Sequence, residues 1–118
     1  MTWLGGSVVA DLQPGPTADK LLAALPCVSS VSTWGEEIYF ELPMSAALEA
    51  GAQQVVPPGT VCFWVEGNAL ALPWGRTPIS QANECRLASA CNVLGQIRGD
   101  PSVLKSARNG EKIRVEAA

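Results

Sequence analysis

The chain has 118 residues with a net charge of −3 and no histidine. That length suits one compact domain, with roughly two thirds of its unfolded surface buried and no need for a metal or disulfide staple. Without histidine there is no imidazole base, no histidine metal ligand, and no Ser-His or Cys-His nucleophile pair.

Other classes are excluded by pattern. No apolar run approaches the ~20 residues of a membrane span. The start, "MTWLGGSVVADLQ", lacks the basic region and apolar stretch of a signal peptide. A cytoplasmic location with no membrane partner is the default expectation. Residues 1–75 carry seven acids and only Lys20, whereas residues 76–118 carry seven bases and four acids. This asymmetry fits two halves that pack together. It gives no basic excess and no dense basic patch, so no nucleic-acid partner is expected. Cys27, Cys62, Cys85 and Cys91 show no Cys-x-x-Cys spacing, so they are expected to be reduced, packed thiols, with no metal or cofactor.

In chain order, "SVVADLQP" (7–14) alternates, with Val8, Ala10 and Leu12 on one face, and reads as a strand. "TADKLLAAL" (17–25) reads as a short helix with Thr17 as N-cap, a stripe of Ala18, Leu21, Leu22 and Leu25, and Pro26 as its stop. "CVSSVSTW" (27–34) and "EEIYFELP" (36–43) are predicted strands around Gly35. In the second, Ile38, Phe40 and Leu42 should point inward and Glu37, Tyr39 and Glu41 the other way. Residues 43–51 are a connection. "TVCFWVE" (60–66) and "ALALPW" (69–74) form a hairpin across Gly67-Asn68. A strand is expected over 92–97, extending back as far as Arg86. Asp100 and Pro101 start a short helix, and an Asn-Gly turn leads into a last strand at 112–116. Seven or eight short strands with one or two short helices predict a mainly β domain. The expected fold is a closed antiparallel β-barrel with capping helices.

"PTADKLLAALP", "WGEEIYFELP", "PPGTVCFW", "WGRTPIS" and "NVLGQIRGD" occur in this order. Together they resemble the small bacterial and archaeal cyclophilin-like family of largely uncharacterised proteins. The resemblance runs from about residue 7 to the end. It implies a single cyclophilin-type barrel over residues 1–118, not the cyclophilin reaction. Cyclophilins are peptidyl-prolyl isomerases whose cleft uses an arginine beside the proline amide, a glutamine, a histidine, and apolar and aromatic walls. This chain has no histidine and lacks the Phe-His-Arg stretch.

The candidate site is an aromatic-lined cleft formed by Trp34, Glu37, Tyr39, Trp74, Arg76, Thr77 and Ser80. Tryptophan faces near one mouth of the barrel, with Tyr39 and Trp64 on nearby strands, would wall a small-ligand pocket. Arg76 would hold a carboxylate bidentately, while Thr77, Ser80 and Tyr39 would orient the ligand. Glu37 shares a face with Tyr39, so it and not Glu36 would join the pocket. In a purely local reading, Gly75 and Pro78 shape a turn and Thr77 and Ser80 satisfy its backbone. The expected function is binding of a small ligand or extended peptide. The alternatives are a weak prolyl isomerase, with Arg76 donating to the amide nitrogen, and an assembly subunit such as a homodimer.

Overall fold

A computed structural model describes residues 1–118. The chain is mainly β: β1 (Thr2–Trp3), β2 (Gly6–Ser7), β3 (Ala10–Leu12), β4 (Cys27–Ser30), β5 (Ser32–Thr33), β6 (Glu37–Glu41), β7 (Gln53–Val56), β8 (Thr60–Trp64), β9 (Ala69–Pro73), β10 (Cys85–Ile97) and β11 (Lys112–Val115). One α-helix, α1 (Pro16–Ala24), and a 3₁₀ helix (Pro101–Ser106) complete it.

The strands form two sheets, not one ring. The first has the order β2-β1-β11-β4. The second runs β3-β10-β8-β9-β6-β5, with β7 added to β10. The expected closed barrel is therefore corrected to two open sheets around a shared core. Two predicted strands each divide between the sheets. The segment 27–34 pairs with β11 through β4, passes Val31, and then pairs with β6 through β5. The segment 7–14 leaves β2 and reaches β10 through β3. The ladder stays open between β4 and β6, where an open groove of about 700 Å³ is lined by Ser29, Ser30, Glu41 and Leu42.

Burial of the inner faces holds the sheets together. Ile38, Phe40, Val61, Phe63, Leu70, Leu72, Leu94 and Ile97 come from the second sheet, and Trp3, Ile113 and Val115 from the first. Alternation on β6 follows the expected pattern, since Ile38, Phe40 and the following Leu42 enter this core.

Pro16 opens α1 at its first turn, preceded by Gly15. Thr17 is not the N-cap but a buried first-turn residue, because its hydroxyl is bound from two sides. It donates to the Glu49 carboxylate and accepts from Asn92 Nδ2 at 2.9 Å. Leu21 packs inward, whereas Leu22 is 51% exposed, so the apolar stripe is narrower than its spacing suggests. Asp100 accepts from the Ser102 N–H, as its place before Pro101 predicts. Arg98 meets Asp11 at 2.7 Å, joining the basic and acidic halves of the sequence.

β10 positions the site. Its second half pairs with β8 and β3, and its first half pairs with β7, with register shifts after Arg86 and Val93. Gly95 lets β3 approach closely, since a Cβ there would lie 1.9 Å from the Asp11 carbonyl oxygen. The first half of β10 contributes to a second, smaller core on the outer face of the sheet. This core contains Val56, Cys62, Ala71, Cys85, Leu87 and Cys91.

Candidate functional site

The outer face of the second sheet carries a row set by strand register. Tyr39 opposes Ala71, Ala71 opposes Cys62, and Cys62 opposes Val93. Two of the four side chains, Ala71 and Cys62, are small. Side chains alternate along each strand, so Glu37 lies two residues from Tyr39 on this face and Trp64 two residues from Cys62. The small residues make a floor and the aromatic residues make walls. Leu87, Ala88 and Cys91 of β10 add a further wall. The result is a cavity of about 280 Å³ lined by Trp34, Glu37, Tyr39, Trp64, Ala71 and these three residues. Its size is near the lower end of small-ligand sites, which start at roughly 300 Å³.

Glu37 is the polar feature of this cavity. It is only 5% exposed, and its Oε1 has no hydrogen-bond partner. Burial raises its carboxyl to about 7, because the charged form is deprived of water. An unpartnered buried carboxyl oxygen costs about 1–3 kcal/mol or more, which makes it a feature that needs a reason.

The thiols nearby are buried and held in the neutral form. Burial pushes Cys62 up strongly, and Cys91, Glu37 and Cys85 add to the effect. Cys91 rises to about 12 through burial, with Glu37 and Glu66 adding to it. Thiols raised in this way stay protonated at neutral pH, as packed core cysteines do. No group of three or more candidate ligands is arranged to hold a metal ion.

The Tyr39 and Trp64 rings meet edge to face. The Trp64 indole N–H donates to Ser89 Oγ at 3.0 Å, and Ser89 in turn donates to Glu66 at 3.2 Å. Trp34 sits in the short connection between β5 and β6. Its N–H donates to the Glu37 carbonyl at 3.0 Å, and Gly35 follows with a φ of 59°. A Cβ on Gly35 would come within 2.8 Å of the Arg76 carbonyl oxygen.

Of the seven residues proposed from sequence, Trp34, Glu37 and Tyr39 line this cavity together. Trp74, Arg76, Thr77 and Ser80 do not line it. Trp74 packs against the main core. Arg76 is exposed, and its guanidinium donates to the Ser80 carbonyl at 3.2 Å. Thr77 Oγ1 donates to the Arg86 carbonyl, while Ser80 Oγ accepts from the Thr77 and Arg86 N–H groups. The "WGRTPIS" segment is thus a self-satisfied loop, as its local chemistry suggests. It also buttresses the connection holding Trp34: Glu36 N–H donates to the Arg76 carbonyl at 2.7 Å, and the Glu36 carboxylate accepts from the Arg76 N–H.

The tryptophans are correspondingly divided. Trp34 and Trp64 share the cavity, whereas Trp3 and Trp74 belong to the main core. Leu87, Ala88 and Cys91 were not among the residues selected from sequence. The register shift that brings them to this face lies within β10 and carries no proline, and its first glycine, Gly95, follows the wall residues.

The family described as Cyclophilin-like matches residues 3–116. The solution structure of the hypothetical protein AF2241 from Archaeoglobus fulgidus superposes with a TM-score of 0.84 at 34% identity, covering 98% of this chain and 90% of that one. No match was found among curated proteins. With nearly its whole length matched by sequence and fold, the chain belongs to the cyclophilin-like family.

Proposed function

We propose that this domain is a small-molecule-binding module whose site is the outer-face cavity walled by Trp34, Tyr39 and Trp64. The observation that carries the reading is the buried, unpartnered carboxyl of Glu37 in a cavity otherwise lined by apolar groups. Apolar walls with very few polar groups are the usual composition of a ligand pocket, in which the polar group fixes orientation. Glu37 has no internal partner to explain its burial, and a ligand atom would supply one. The reading assigns no bond-breaking step. The four unpaired cysteines support a reducing compartment such as the cytoplasm as the place where the module works.

The test is a thermal-shift screen of small metabolites against the wild-type protein and Ala71→Leu, which fills the cavity floor. A ligand at a hundred times its Kd adds about 2.7 kcal/mol of stability. The expected result is a raised transition in the wild type that is absent in Ala71→Leu. A screen with no hit, or hits that persist in Ala71→Leu, would overturn the assignment.

A further inference from the structure

The cavity also contains information about the charge of its occupant. We propose that it takes a small organic ammonium ion, with the positive charge against the Glu37 carboxylate and the hydrocarbon body against Trp34, Tyr39 and Trp64. The proposal rests on the binding reading above and specifies its ligand class.

No lysine or arginine lines the cavity. The nearest basic side chains in sequence are engaged elsewhere: Arg76 with the Ser80 carbonyl, and Arg86 with Glu84 at 2.7 Å. The other titratable groups around Glu37 are Glu36 beside it, Tyr39 on its own strand, Cys62 on β8, and Cys85 and Cys91 on β10, with Glu66 beyond Cys91. These groups are acidic or neutral, so the field in the cavity is negative and an anionic ligand is repelled. An ammonium group supplies hydrogen-bond donors to the orphaned Oε1 and also neutralises the charge that burial penalises. The aromatic walls add attraction of their own, because a cation within about 6 Å of an indole or phenol face is stabilised by the ring quadrupole. The two rings of Tyr39 and Trp64 lie at 84° to each other and so present walls in two orientations.

Burial keeps Glu37 largely protonated below about pH 7 in the free protein. A bound cation favours the ionised carboxylate, so binding from acidic solution displaces the carboxyl proton. Affinity should rise about tenfold between about pH 5 and pH 6 and level off above the Glu37 midpoint.

The experiment uses ¹⁵N-labelled full-length protein titrated at neutral pH with benzylamine, benzyl alcohol or sodium benzoate, following the four indole N–H signals. Benzylamine should shift Trp34 and Trp64 while leaving Trp3 and Trp74 in place. It should bind about tenfold more tightly than the alcohol, with benzoate weakest. In Glu37→Gln the preference for the amine over the alcohol should vanish. The wild-type pH profile tests the same point should that variant fail to fold. Equal binding of amine and alcohol, or a flat pH profile, would overturn the charge assignment and leave the binding module standing. If none of the three shifts the cavity indoles, both readings fall.

Discussion

Tyr39 and Trp64 form an edge-to-face pair, with ring centroids 6.1 Å apart and planes at 84°. They come from strands separated by β9, whose small Ala71 opposes Tyr39 and whose small Ala69 opposes Trp64, leaving room for the rings to meet across the outer face. Aromatic pairs of this geometry contribute about 0.5–1.5 kcal/mol beyond the area they bury. A double-mutant cycle with Tyr39→Leu and Trp64→Leu should therefore show a coupling of about 1 kcal/mol in urea unfolding. Additivity within about 0.3 kcal/mol would mean that the rings act independently as walls.

Glu37 gives the protein a distinctive pH dependence. Its usual value is 4.5 and burial raises it to about 7. Between these values the folded chain retains a proton that the unfolded chain has released. The stability contribution is thus full below pH 4.5 and is lost as pH rises to about 7. The loss amounts to about 3 kcal/mol. Asp11, held low by its hydrogen bonds to Arg98, and Glu84, held low by Arg86, act in the opposite sense and only in more acidic solution. Urea unfolding of the wild type should show stability falling between about pH 5 and pH 7, and Glu37→Gln should flatten that slope. An unchanged slope in the variant would assign the effect to another group.

The connection that presents Trp34 depends on Gly35. Its left-handed backbone costs a non-glycine residue about 1–2 kcal/mol, and the contact with the Arg76 carbonyl adds strain. Gly35→Ala should destabilise the protein by about 1–3 kcal/mol and shift the Trp34 indole resonance more than those of Trp3 or Trp64. A folded Gly35→Ala protein with an unperturbed Trp34 signal would show that the 74–78 loop can yield without moving the cavity wall.

The readable parts of the sequence were those in which one period governs one face. On β6, alternation alone separates Ile38 and Phe40 from Glu37 and Tyr39, and both halves of that expectation hold. The 60–74 hairpin is equally legible, because Gly67-Asn68 stands between two apolar runs. The division of the strands into two open sheets is not legible. Whether 27–34 keeps one partner or changes at Val31 depends on the distant β11 and β6, and its own pattern carries no sign of either. The same applies to β7, whose pairing with β10 brings Leu87 and Cys91 over the outer face. Residue type alone suggests a place for Arg76 and Trp74 in the site, but Trp74 packs against the main core. The loop hydrogen bonds that commit Arg76 elsewhere depend on a backbone turn that composition does not specify.

Asn92 is the hub that fastens α1 and the 43–52 connection to the sheet. It is 1% exposed. Its Nδ2 donates to Thr17 Oγ1 and to the Ala47 carbonyl, both at 2.9 Å, and its Oδ1 accepts from the Glu49 N–H at 2.7 Å. Truncation to alanine removes the side-chain partner of the part-buried Ala47 carbonyl and Glu49 N–H, and leaves the buried Thr17 hydroxyl only its bond to Glu49; each group left unpaired costs about 1–3 kcal/mol. Water entering the space left behind can satisfy some of them, so the expected cost of Asn92→Ala is about 2–4 kcal/mol. The loss should be localised. Amide exchange should accelerate in α1 and residues 45–50, while the β8–β9 hairpin keeps its protection at matched global stability. A loss under about 1 kcal/mol, or exchange rising equally in β8 and β9, would show that the helix is held by Leu21 burial and not by this polar network.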